Sequence, residues 1–107
     1  MMAKEIFAMQ SRLCQAMSNP ARLEIIHLLR AGPQNAHSLA EAAGLSPSTL
    51  TRHLAVLRTI GLVTMQHQRQ ENVYQLANPK LAAICDLMRQ ILSEQLTHQA
   101  EVASVIK

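Results

Sequence analysis

Apolar residues recur with helical spacing from the start of the chain. Ile6, Leu13 and Met17 fall on one stripe, with Phe7, Gln10 and Cys14 beside it, which predicts an amphipathic first helix. Ser18-Asn19-Pro20 stops it, because proline biases Asn19 away from helix and suits the first turn of the next one, with Ser18 or Asn19 as cap. The second helix is predicted over Ala21 to Arg30, with Leu23, Ile26 and Leu29 facing inward, Ile25 and Leu28 beside them, and Ala31-Gly32-Pro33 as its end. Ala36 to Ala43 is a short helix carrying Leu39, Ala40 and Ala43; Gly44 stops it and Leu45 is an apolar plug after the turn. The next helix opens with Ser46 as N-cap and Pro47 at the first helical position, buries Leu50, Leu54 and Leu57, and runs to about Thr59 before Gly61. Leu62 to Gln68 and Asn72 to Leu76 read as two strands around a polar tip, Arg69-Gln70-Glu71. A long last helix, Pro79 to near Ala103, has the stripe Leu81, Ile84, Cys85, Met88, Ile91, Leu92 and Leu96.

The order is helix, helix, helix-turn-helix, hairpin, long helix, so the fold class is mainly α with a small β-hairpin, one domain over residues 1–107. The middle of the chain supplies its own core, whereas the terminal helices carry apolar stripes in need of cover. A second copy related by a two-fold axis covers both, which predicts a homodimer through the first and last helices. Composition narrows the function. A chain that is 49% hydrophobic is too rich for disorder, and 2% aromatic residues argue against modules that stack bases on a sheet. Two cysteines cannot make a disulfide scaffold or a four-thiolate zinc site in one chain. The start, Met-Met-Ala-Lys-Glu-Ile-Phe, lacks the apolar run of a signal peptide, and no stretch reaches the ~18 apolar residues of a membrane span. The expectation is a cytoplasmic chain with reduced thiols and no membrane partner. A formal charge of +3 suits a polyanion but is common among proteins of every kind. No Gly-rich phosphate loop or nucleophile elbow is present, and the five His and seven acids fall on different predicted elements, so an enzyme is not expected.

The segment His37 to Val63 carries the chemistry. Helix, Gly44 turn and second helix make a helix-turn-helix. With Leu50, Leu54 and Leu57 inward, the second helix offers Ser48, Thr49, Thr51, Arg52 and His53 on its other side. Arg suits the guanine O6/N7 pair, and Ser or Thr serves several bases. The helix start at Ser46 and Ser48 directs free N–H groups at phosphate. At the hairpin, His67, Gln68 and Arg69 extend beyond that helix toward the flanking minor groove or backbone, where a narrow groove attracts Arg; Glu71 lowers the local positive field. The bland alternative is a helical hairpin with a solvated polar face.

Met17-Ser-Asn-Pro-Ala-Arg-Leu-Glu-Ile-Ile, Leu45-Ser-Pro-Ser-Thr-Leu-Thr-Arg-His-Leu-Ala-Val-Leu-Arg, Gly61-Leu-Val and Val73-Tyr-Gln-Leu, in that order over almost the whole chain, resemble the ArsR/SmtB family of winged helix-turn-helix repressors. The resemblance implies a homodimer, Ser46 to Arg58 as recognition helix, double-stranded operator DNA as partner, and an effector that lowers operator affinity. The wing departs from the pattern: where members often carry Gly and several Arg, this chain has Gln68-Arg-Gln-Glu-Asn. Most effector positions that the resemblance implies hold other residue types; of the zinc-type set only Glu94 keeps a ligand, and one carboxylate cannot replace a four-ligand cage. The zinc-type site of the last helix falls on Asn78, Lys80, Ile91 and Glu94, and thiolate pairs fall on Asn35 and His37, on Val56 and Ile60, or on His27 and Ser93.

What remains is Cys14 on the first helix and Cys85 on the last. If those helices pack together, the two thiols meet within or across subunits and answer an oxidant, reactive sulfur or a soft metal ion. Equally, Cys85 on an apolar stripe is core filler. His98 and Glu101, three apart, read as a solvated helix end. No resident cofactor is required. The leading expectation is a DNA-binding repressor, binding an inverted repeat and released by a thiol-reactive signal. Its rivals are a DNA-binding regulator with structural cysteines and a winged helix that binds protein instead.

Overall fold

The computed structural model describes residues 2–106. Eight elements follow in order: α1 (Ala3–Ala16), α2 (Pro20–Leu29), β1 (Gln34–Asn35), α3 (Ala36–Ala43), α4 (Pro47–Thr59), β2 (Val63–Gln68), β3 (Glu71–Leu76) and α5 (Lys80–Ile106). Three helix starts are closed by side chains that accept from an otherwise orphaned backbone N–H. Asn19 Oδ1 accepts from Arg22 at 3.1 Å, Asn35 Oδ1 from Ser38 at 2.8 Å, and Ser46 Oγ from Thr49 at 3.3 Å. Pro20 and Pro47 take first-turn positions where no N–H is needed. Of the two residues expected to cap α2, Asn19 does so; Ser18 Oγ instead donates back to the Gln15 carbonyl.

Both helices of the helix-turn-helix end alike. At Gly44 (φ 66°) the Leu45 N–H reaches back to the Ala40 carbonyl and the Gly44 N–H to Glu41; at Gly61 (φ 85°) Leu62 reaches Leu57 and Gly61 reaches Arg58. Each glycine takes the left-handed conformation this helix end requires, and the leucine after it folds onto the core.

The core lies between α2, α3, α4 and the sheet. Ile25, Ile26 and Leu29 of α2 meet Leu39 and Ala40 of α3 and Leu50, Leu54 and Leu57 of α4, closed by Val63 and Tyr74 from the strands. Ile25 is as buried as Ile26, so the inward face of α2 is wider than the Leu23, Ile26, Leu29 stripe, and Leu23 is only half-buried. The sheet differs from the expected two-stranded hairpin. It has three antiparallel strands in the order β1-β3-β2, with Gln34 opposite Tyr74 and Asn35 opposite Val73. This third strand braces a hairpin that alone would be marginal. The tip is also shorter than expected: Glu71 pairs with Gln68, which leaves only Arg69 and Gln70 in the turn.

The terminal helices stand apart. α5 packs on α2, with Leu81 and Cys85 reaching the core and Arg30 at the end of α2 gripping Asp86 through two hydrogen bonds of 2.7 and 2.5 Å. Arg89 also contacts Asp86. α1 buries only Ala16. Within one chain α1 is not packed along α5, so of the two arrangements left open for these helices, within or across subunits, the single chain does not show the first. Ile6, Phe7, Met9 and Leu13 of α1 and Ile84, Leu87, Met88, Ile91, Leu92 and Leu96 of α5 are exposed. Among the described residues no helix is long and apolar enough to cross a membrane.

Candidate nucleic-acid interface

Burial of Leu50, Leu54 and Leu57 fixes the rotation of α4 about its axis. Opposite those three leucines the helix presents Ser48, Arg52, Ala55 and Thr59, all exposed. The predicted contact residues therefore divide. Ser46, Ser48, Thr51 and Arg52 are exposed, whereas Thr49 and His53 lie half-buried on the flank. Several of their hydroxyls already serve the helix: Ser46 Oγ donates to Thr49 Oγ1 at 2.9 Å, and Thr51 Oγ1 donates to the Pro47 carbonyl at 2.8 Å. Pro47 has no N–H and the Thr49 N–H is taken by Ser46. That leaves the Ser48 N–H as a first-turn donor at the positive end of the helix dipole.

Nothing acidic lies on α4, and Arg52 has no ion-pair partner among the described residues. A second exposed arginine, Arg58, lies on the flank facing β2, in a groove shared with Thr64 and Met65. Arg58 closes the segment that the resemblance gives as recognition helix; its place beside the wing emerges only when the strands fold back.

The wing holds the remaining predicted residues. His67 and Asn72 are cross-strand partners, joined by Nδ1 to Oδ1 at 2.9 Å. Gln68 Nε2 donates to Gln66 Oε1 at 2.7 Å. Arg69 and Gln70 both have positive φ, 49° and 66°, at the two turn positions that normally favour Asn-Gly. Holding two side-chain-bearing residues there costs on the order of 1–3 kcal/mol each. Arg69 is thus fixed at the outermost, exposed point of the wing.

The candidate effector thiols are far less alike than their symmetric placement on terminal helices suggested. Cys14 is exposed on α1, while Cys85 is buried beside a groove of about 500 Å³ between α2 and α5, with Leu23, His27, Met88 and Leu92 around it. Burial pushes the Cys85 thiol above its ordinary pKa; Arg89 opposes this and Asp86 reinforces it. Among the described residues no three His, Cys, Asp or Glu side chains gather in a metal-binding arrangement.

Residues 19–65, spanning α2 to the start of the wing, match the bacterial regulatory protein, arsR family. The HTH-type transcriptional regulator NmtR of Mycobacterium tuberculosis is 39% identical over 72 residues, a match that covers 67% of this chain and 60% of NmtR. The transcriptional activator HlyU of Vibrio cholerae is 33% identical over 79 residues, covering 74% of this chain and 73% of HlyU. Among solved structures, the homodimeric winged helix-turn-helix DNA-binding domain of Mb0332 from Mycobacterium bovis superposes with a TM-score of 0.80 at 26% identity, over 89% of this chain and 88% of that one. On the family match, the identity to these relatives and the shared fold, the chain belongs to the arsR family of winged helix-turn-helix, DNA-binding transcriptional regulators.

Proposed function

We propose that two copies of the chain bind one duplex operator as a homodimer and repress the adjacent gene. The observation that carries this reading is the outer face of α4, with Arg52 exposed, unpaired and free of acidic neighbours on its helix. Two such helices related by a two-fold axis enter successive major grooves, so the operator is an inverted repeat with half-sites ~34 Å apart. A dimer seated over a promoter excludes polymerase, which makes repression the default output even though HlyU is an activator. Ser48 and Thr51 accompany Arg52 at the bases, and Arg69 and His67 follow the flanking backbone. Arg52→Ala is expected to weaken binding to the protein's own upstream duplex by ~1–3 kcal/mol, roughly 5- to 150-fold, in a fluorescence titration at fixed salt. Unchanged affinity would remove Arg52 from the interface.

The finer part of the proposal is release by a thiol-reactive signal at Cys14 and Cys85. It is supported by the exposure of Cys14 on α1 and by the groove between α2 and α5 that borders the buried Cys85; because α1 is not packed along α5 within one chain, the pairing runs between subunits. Cys85 is the resolving partner, not the primary target, because its buried thiol stays protonated. In the reduced protein Cys85 should be alkylated by iodoacetamide at pH 8 at least tenfold more slowly than in the urea-unfolded chain. Equal rates would place it outside the core. The same burial sets a pH trend. The folded thiol holds its proton above the unfolded value of roughly 8.5, so its contribution to stability is fully present below that pH and lost as pH rises past it.

A further inference from the structure

On the side of α4 away from the wing, an open groove of about 610 Å³ lies between it and the second half of α1. Its floor is apolar, but three arginines from three elements converge on it: Arg12 of α1, Arg22 of α2 and Arg52 of α4. Gln15 and Thr59 add an amide and a hydroxyl, and no acidic residue lines it. Arg22 is held in place, its Nε donating at 2.5 Å to the Ala16 carbonyl at the end of α1. Arg12 and Arg52 have no ion-pair partner among the described residues. Three like charges around one trough repel each other at a cost that an anion in the trough removes. Guanidinium forks, moreover, are matched in shape to phosphate oxygens.

We propose that this groove clamps a backbone phosphate of duplex DNA, with Arg12 as a DNA contact on a helix outside the helix-turn-helix. The inference rests on the DNA-binding reading above and says where that interface extends. Arg52 belongs both to the outer face of the recognition helix and to the groove, so the groove is continuous with that face, which favours the DNA backbone over a free phosphate. Its position also fixes which phosphate is held. The wing flanks α4 on the side of Arg58 and Thr64, and the groove flanks it on the side of α1. When two copies meet through α1 and α5, the α1 side of each recognition helix faces the two-fold axis. The clamped phosphates then lie between the half-sites, while the wings reach the backbone outside them. Contacts of this kind add affinity without sequence preference.

The test is the salt dependence of binding, by fluorescence anisotropy, to the protein's own upstream duplex and to a random-sequence duplex of equal length. For the dimer, Arg12→Gln is expected to lower the slope of log K against log salt by about 1.8, near 0.9 per copy, on both duplexes alike. Arg12→Lys, which keeps the charge, should restore the slope. Lys80→Gln, at the start of α5 and outside the groove, should leave it as in the native protein. Arg12 is exposed and bonded to nothing that holds the fold, so sedimentation and thermal melting of the Gln variant should match the native dimer. A native slope in Arg12→Gln overturns the clamp, as does a Lys variant that behaves like Gln, or a Lys80→Gln variant with the same loss. If the native protein itself binds neither duplex, the DNA-binding reading falls and the clamp with it. A native protein that binds steeply alongside an unaltered Arg12→Gln variant removes the clamp alone.

Discussion

Leu92→Asp is expected to split the dimer and to lower affinity for the operator by ~10²–10⁴-fold. α5 spans 27 residues, yet among the described residues only Leu81 and Cys85 of it reach the core. Farther along, Ile91 and Leu92 are 55% and 52% exposed, and Phe7 on α1 is 67% exposed. Isolated exposed leucines need no explanation, but a row of them at helical spacing on both terminal helices makes a contiguous apolar face of the kind that marks an interface. A carboxylate placed there has no partner and loses its hydration when the helices close, a penalty of several kcal/mol per ion. In the proposed dimer, binding of the first half-site holds the second recognition helix beside its own site; once the subunits separate, that gain disappears. Sedimentation velocity at micromolar concentration should show a dimer for the native protein and a monomer for Leu92→Asp. Circular dichroism should be unchanged, because residue 92 is exposed and outside the core of a single chain. A variant that remains dimeric would move the interface off α5, and a native protein that is already monomeric would overturn the dimer itself.

The features legible in the sequence were those written locally. Asn19-Pro20 and Ser46-Pro47 announce helix starts through residues one to three positions away, and Gly44 and Gly61 announce helix ends in the same way. The three inward leucines of α4 set its rotation, so the exposure of Arg52 and Ser48 followed from spacing alone. Thr49 and His53 were harder to place, since they stand at the edge between the two faces, where packing of a neighbouring element decides burial. β1 was invisible: Gln34 and Asn35 have no strand propensity of their own, and their pairing is with Tyr74 and Val73, some forty residues on. The hairpin tip was misjudged by one residue because Arg69-Gln70 accepts a left-handed turn that local preference assigns to Asn-Gly. The apolar stripes of α1 and α5 signalled that something must cover them, but whether the two helices meet within a chain or across subunits depends on tertiary packing that spacing does not encode. The arginine groove is a tertiary fact of the same kind. Residues 12, 22 and 52 lie on three helices and share no motif, and each alone reads as a solvated surface charge.

Leu57→Ala is expected to lower the unfolding free energy by ~2–5 kcal/mol, from lost transfer free energy and the cavity left behind. Leu57 is 0% exposed in the common core of α2, α3, α4 and the sheet. Its carbonyl also accepts the Leu62 N–H at 2.9 Å, in the turn that carries the chain from the recognition helix into the wing. Domains of this size have ~5–15 kcal/mol in total, so the loss is a large share of what holds α4 in place. Val56 is the internal control. It is next to Leu57 on the same helix but 40% exposed, and Val56→Ala should cost far less, on the order of 0.5 kcal/mol. Urea denaturation of both variants at one fixed protein concentration, with unchanged slope against denaturant, gives the comparison. The pair tests more than stability. If Val56→Ala were the costlier substitution, α4 would be rotated from the orientation described and Arg52 would no longer point away from the core. A large cost at 57 and a small one at 56 fix the face that α4 turns outward, the one proposed to read DNA.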